Sequence, residues 1–148
     1  MNFRQLVKTV NTKDFYFEMV DPKLLKAQYN PERFHLWKSL HIGPEEEALN
    51  MLFSPHYKFL KNRKDESYYN LQKYYGRNKQ WIKNKIEKFL GVYENIKKNG
   101  FTENISALEH PLVKNNYNKG FEIFEGHHRV SIALILNINE IPCEIIRR

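Results

Sequence analysis

Residues 121–146 read FEIFEGHHRVSIALILNINEIPCEII, and the fold turns on how this stretch is divided. Phe121 to Phe124 is short and apolar enough for a strand, and His127 to Leu136 is a helix. That helix carries Val130, Ile132, Ala133, Leu134, Ile135 and Leu136, which leave almost no polar face, so other elements must cover it. Asn139-Glu140 then introduces a closing strand, Ile141 to Ile146. Between the first strand and the helix stand Glu125, Gly126, His127, His128 and Arg129.

Upstream, Asn104 to Glu109 reads as a further short strand, joined to Phe121 by a polar connection, His110 to Lys119, that contains Asn115-Asn116. Before it comes the most regular segment of the chain. From Asn78 to Asn99, Ile82, Ile86, Phe89, Tyr93 and Ile96 recur at spacings of four and three along one helical face. Lys79, Lys83, Lys88 and Lys97 lie mostly off that stripe, and Asn99-Gly100 supplies a left-handed stop. Pro44, followed by Glu45, Glu46 and Glu47, predicts a helix running to Phe53, because proline suits the first helical position and carboxylates suit the positive dipole end. Ser54-Pro55-His56 interrupts it, and Lys61 to Glu66 is a polar loop. At the start, Asp14 to Val20 alternates with Phe15, Phe17 and Met19 on one side, the pattern of a strand. Asp21-Pro22 ends that strand, and Lys23 to Tyr29 is predicted to begin a short helix. The order of strand, helices, two strands, helix and strand predicts one α+β domain with a small mixed sheet.

Composition fits a globular chain: 148 residues, 41% hydrophobic, with nine Tyr, ten Phe and two Trp against only six Gly and six Pro. The single cysteine, Cys143, forms no internal disulfide, and no secretory leader or membrane-spanning apolar run is visible, so a cytoplasmic protein without a membrane partner is expected. The net charge of +7 is concentrated: residues 56–100 hold 12 Lys/Arg against 4 Asp/Glu. Such a segment suits an anionic partner, and equally suits the solvated face of one long helix.

The turn at residues 125–129 carries the chemistry. First-turn N–H groups of a helix have no intrahelical acceptor, and the helix dipole adds partial positive charge there, so anions bind. Gly126 permits close approach, Arg129 offers a planar fork to phosphate oxygens, and a histidine donates to the same group. Glu125 could hold a metal ion or take a proton from a hydroxyl, whereas Glu122 on the strand points to the opposite side. A plainer account is also open: Gly126 for a tight turn, Arg129 paired with Glu125 at the surface. Adjacent histidines suggest zinc, but no Cys or further His is suitably spaced.

The run from Gly120 to Ile146 resembles the core of the ParB/sulfiredoxin superfamily, whose members show a strand, Asp or Glu, Gly, two variable residues and Arg, an alanine-bearing helix, and a strand starting Ile-Pro. Val92 to Gly100 is similar to the helix before that family's central strand, and Met19 to Leu25 to its opening strand. The resemblance covers residues 14–28 and 85–148 and implies a ParB/sulfiredoxin-like sheet with packed helices, residues 30–80 being a mainly helical insertion in a single domain, 1–148. His127 stands where sulfiredoxins carry a reactive cysteine, which argues against sulfinic-acid reduction. His127-His128-Arg129 replaces the Glu-Arg-Arg of chromosome-partition proteins, and the chain is too short for their DNA-reading domain. The turn is nearest to the Asp-Gly-Thr-His-Arg of the superfamily's free-serine kinases. That branch implies a phosphotransferase using ATP or ADP and Mg2+ on a small hydroxyl metabolite, serine-like or a surface-polysaccharide precursor. By the same resemblance Gly126, His127, His128 and Arg129 bind the nucleotide phosphates and Glu125 is the catalytic and metal-binding carboxylate. The alternatives are a non-catalytic nucleotide sensor and, more weakly, a nucleic-acid binder or nuclease relying on Lys79, Lys83, Lys85 and Lys88. His56 and Tyr57 are read as a turn and a packed aromatic rather than an acceptor pocket.

Overall fold

The closing strand organises the sheet. In the computed structural model, which describes residues 14–41, 43–109 and 120–147, the strands are β1 (Phe15–Val20), β2 (Leu25–Lys26), β3 (Ile105–Glu109), β4 (Phe121–Glu125) and β5 (Ile141–Ile146). They lie in the order β1-β5-β3-β4-β2, with β5 antiparallel to β1 and parallel to β3, β3 antiparallel to β4, and β4 parallel to β2. The helices are α1 (Pro31–Leu40), α2 (Pro55–Lys61), α3 (Ser67–Tyr74), α4 (Lys79–Asn99) and α5 (His127–Ile135). The protein is therefore a mixed α+β structure with a five-stranded mixed sheet. The polar connection anticipated at residues 110–119 lies outside the described residues.

Local chemistry explains where the helices begin. Asn30, Ser54 and Asn78 each accept a hydrogen bond from a backbone N–H three residues on, at 2.7, 3.0 and 2.8 Å, and cap α1, α2 and α4. Pro31 and Pro55 occupy the first turn, where a missing N–H costs nothing. Ser54 does more than interrupt a helix, as the sequence suggested: it is fully buried, and its hydroxyl also donates to the Met51 carbonyl at 2.7 Å. Gly100, at φ 74°, closes α4 with its N–H on the Ile96 carbonyl.

Helix α5 is covered on two sides, which accounts for its lack of a polar face. Val130, Ala133 and Leu134 pack on the sheet with Ile105, Ala107, Ile123, Ile141, Cys143 and Ile145, a cluster that also takes in Leu36, Trp37, Met51 and Leu71. Ile132 instead joins Phe59, Leu60, Tyr68, Phe89 and Ile96 of α2, α3 and α4. Fully burying each Val, Leu, Ile, Phe or Met of these clusters contributes roughly 1.5–3 kcal/mol.

Two expectations are corrected. Residues 23–29 are not a helix: a 3-10 turn, Pro22–Leu24, gives way to β2, which pairs with Phe121 and Glu122 of β4. The helix foreseen from Pro44 to Phe53 is two separate 3-10 turns, Glu45–Glu47 and Met51–Phe53, because Asn50 adopts an extended conformation (ψ 127°) and caps the second, accepting from the Leu52 N–H. The strand expected from the alternation at residues 14–20 is present as β1, with Phe17 and Met19 63% and 53% exposed and Val20, at the strand end, buried.

Candidate functional site

Gly126 is the hinge between β4 and α5. Its φ of 122° is left-handed, and a Cβ there would stand 2.8 Å from Cγ2 of Ile105, so both backbone shape and close approach to β3 require glycine. No described side chain caps the helix that follows, which leaves the first-turn amides of α5 to whatever occupies the space in front of them.

That space is a cleft of about 480 Å³ lined by Glu125, Gly126, His127, His128 and Arg129 on one wall and by Lys85, Lys88, Phe89 and Val92 of α4 on the other. All five residues picked from the sequence thus meet at one cleft. Glu125 supplies its carboxylate, and Arg129 lies across the rim with Nη1 donating to the Asn104 carbonyl at 3.1 Å. Lys85 and Lys88 were not named with this site, although they are three apart and Val92 follows four later, so all three share one helical face. Nothing local in the sequence says that this face opposes a turn some forty residues downstream. Burial and the neighbouring Lys88 and Arg77 charges lower the Lys85 pKa, as expected where cations crowd.

The two histidines are held differently. His127 Nε2 accepts the backbone N–H of Gln28 at 3.1 Å, and a peptide N–H can only donate. The ring is therefore neutral with its proton on Nδ1. Arg33 steadies the next peptide, its Nη1 donating to the Gln28 carbonyl at 2.8 Å. His128 Nε2 lies 2.8 Å from the Tyr68 hydroxyl of α3. Desolvation, with nearby positive charge, pushes both histidines down to about 3, so both are neutral at physiological pH. Behind them His56 of α2 is buried, its pKa well below the ordinary value through desolvation, and its ring meets that of His128 edge-on at 4.5 Å. His56, read from the sequence as part of a turn, lies in the first turn of α2 and packs against the site. Tyr57 sits partly buried beside the main core.

Among the described residues no group of three or more His, Cys, Asp or Glu is arranged to hold a metal ion. Both Nε2 atoms of His127 and His128 already have partners, so the adjacent pair is not a zinc site of its own. A magnesium ion asks for less, one or two carboxylates with phosphate oxygens and water completing its shell, and Glu125 fits that role. Glu122 is buried on β4, where its Oε1 accepts the Tyr29 N–H at 2.7 Å. The Cys143 thiol is buried in the sheet and raised to about 12 by desolvation, which makes it a poor nucleophile.

Fold and site together define a mixed α+β protein with a cationic cleft at the amino end of a buried helix. No family model, curated protein or solved structure matches the chain. Among the described residues no helix is long and apolar enough to cross a membrane.

Proposed function

We propose that the cleft binds the phosphates of a nucleotide and that the protein is a phosphotransferase, passing a phosphoryl group from ATP or ADP to a small hydroxyl metabolite. The observation that carries this reading is convergence: Lys85 and Lys88 from α4, Arg129, and the open amino end of α5 all line one cleft of about 480 Å³. Three cations and a set of unpaired amides neutralise a polyphosphate far better than they serve any apolar ligand. The resemblance of the 120–146 stretch to the kinase branch of the ParB/sulfiredoxin superfamily supports the same reading.

In the transfer, the acceptor oxygen forms its bond to the terminal phosphorus as the bond to the departing nucleotide oxygen breaks, and Glu125 takes the hydroxyl proton. Glu125 would hold a divalent cation, which would supply further charge neutralisation when bound. Lys85, Lys88 and Arg129 bind and orient the phosphates, and His127 donates from Nδ1 without carrying charge.

Thermal unfolding with and without ADP or ATP and magnesium tests the binding step. A rise of several degrees that disappears in Arg129→Ala and in Lys85→Ala/Lys88→Ala is expected, and melting curves indifferent to nucleotide overturn the reading. Phosphorus NMR over hours then separates a kinase, which consumes the donor when offered hydroxyl compounds, from a sensor that only binds it. Nucleic-acid binding is the weaker reading because Lys85 and Lys88 line a concave cleft rather than a flat stripe; steeply salt-dependent DNA binding without any nucleotide effect would favour it instead.

A further inference from the structure

Tyr68 stands on α3, 60 residues before His128 in the chain, and is fully buried. Its ring stacks on Phe59 at 5.8 Å and 25°, and meets His56 at 5.2 Å and Phe89 at 5.4 Å, so it has no freedom to swing away from its hydroxyl's partner. His128 is boxed in by the same group: His56 and Phe89 present to it at 4.5 and 4.8 Å, both close to perpendicular. A neutral imidazole in such a box still has a choice of tautomer, and only one of the two leaves a donor on Nδ1.

We propose that Tyr68 is a positioning residue for the phosphate cleft: its hydroxyl donates to His128 Nε2 and so fixes the proton on Nδ1, making His128 a second neutral donor beside His127. The direction of the hydrogen bond follows from the neighbours of the phenol. Tyr68 is fully buried, with the rings of Phe59, Phe89 and His56 around it and His128 Nε2 as the partner of its hydroxyl. A buried phenol proton without an acceptor is costly, so the hydroxyl turns its proton to His128 Nε2. The bond from Tyr68 to His128 mirrors the Gln28 peptide N–H that fixes His127. Both rings then line the cleft as uncharged donors whose tautomers are set from behind. It assigns a task to the 67–74 helix that residues 125–129 cannot perform alone, and it rests on the phosphate reading of the cleft given above.

The test is Tyr68→Phe, which keeps the stacked ring and deletes the hydroxyl, examined in the wild-type and His128→Asn backgrounds. Asparagine places its amide N–H close to where Nδ1–H stands and needs no tautomer set for it. Nitrogen-15 NMR of the histidine rings in the nucleotide-free protein reads the first half of the proposal. The wild type is expected to show His128 protonated at Nδ1 only, and Tyr68→Phe to show a mixture of tautomers. Titration with ADP reads the second half: roughly a tenfold loss of affinity on Tyr68→Phe in the wild type, the scale of one hydrogen bond to a charged group, and less than about twofold in His128→Asn. Unchanged ring shifts in Tyr68→Phe overturn the proposal, as does an equal loss of affinity in both backgrounds, which would mark Tyr68 as merely structural. A wild type that binds no nucleotide removes the phosphate reading instead, and the ring shifts then decide whether the tautomer lock exists.

Discussion

Gly126 and His56 show how single residues answer to surroundings that lie far away in sequence. At Gly126 the left-handed φ and the 2.8 Å approach of a notional Cβ to Ile105 act together, so Gly126→Ala is expected to cost about 2–3 kcal/mol in urea unfolding, well above the usual cost of the same change in open space. His56 carries a different burden. Its Nδ1 is buried without a hydrogen-bond partner, and desolvation keeps the ring neutral, as it does His127 and His128. An unfolded histidine titrates near 6.5 whereas the folded His127 and His128 stay neutral to about 3, so in that window the unfolded chain binds more protons. Stability supplied by the neutral rings is complete above about pH 6.5 and is lost as pH falls toward 3, each ring contributing a slope approaching 1.4 kcal/mol per pH unit, roughly. His56→Phe keeps the aromatic packing and removes one titrating group. It should change stability by under about 1 kcal/mol at pH 7.5 and leave the protein more stable than wild type at pH 5, checked by urea midpoints at the two pH values.

The elements divide into those fixed by local signals and those fixed by partners. Helix α4 is of the first kind: a cap at Asn78, an apolar stripe and a left-handed glycine at its end define it in sequence and in structure alike. Its cleft-lining face is not legible locally, because the lysines are alike in sequence and only packing against α5 distinguishes Lys85 and Lys88 from Lys79 and Lys83. Replacing Lys79 and Lys83 by glutamine should leave nucleotide affinity within about twofold, while the same change at Lys85 and Lys88 should lower it by more than tenfold in a calorimetric titration. Helix α2 depends on its cap. Ser54→Ala deletes both an N-cap bond of 3.0 Å and a buried donor to Met51, and about 1–2 kcal/mol of stability should go with them. Strand β2 is of the second kind, two residues long and held by its ladder with β4 rather than by any propensity of its own.

At the scale of the molecule, the sequence by itself determined the described strands and helices from residue 78 onward, the closing strand Ile141–Ile146, and the polar turn at residues 125–129 between strand and helix. Periodicity, caps and turn residues act over one or two turns of chain, so they can be read without knowing what lies opposite. The tertiary structure decided what such short-range signals do not contain. It turned Phe17 and Met19 outward on an edge strand, because the same period-2 pattern fits either face of a sheet and only the placement of α5 settles which one is covered. It also set Lys85, Lys88, His56 and Tyr68 around His128, joining residues tens of positions apart through packing that no local pattern encodes.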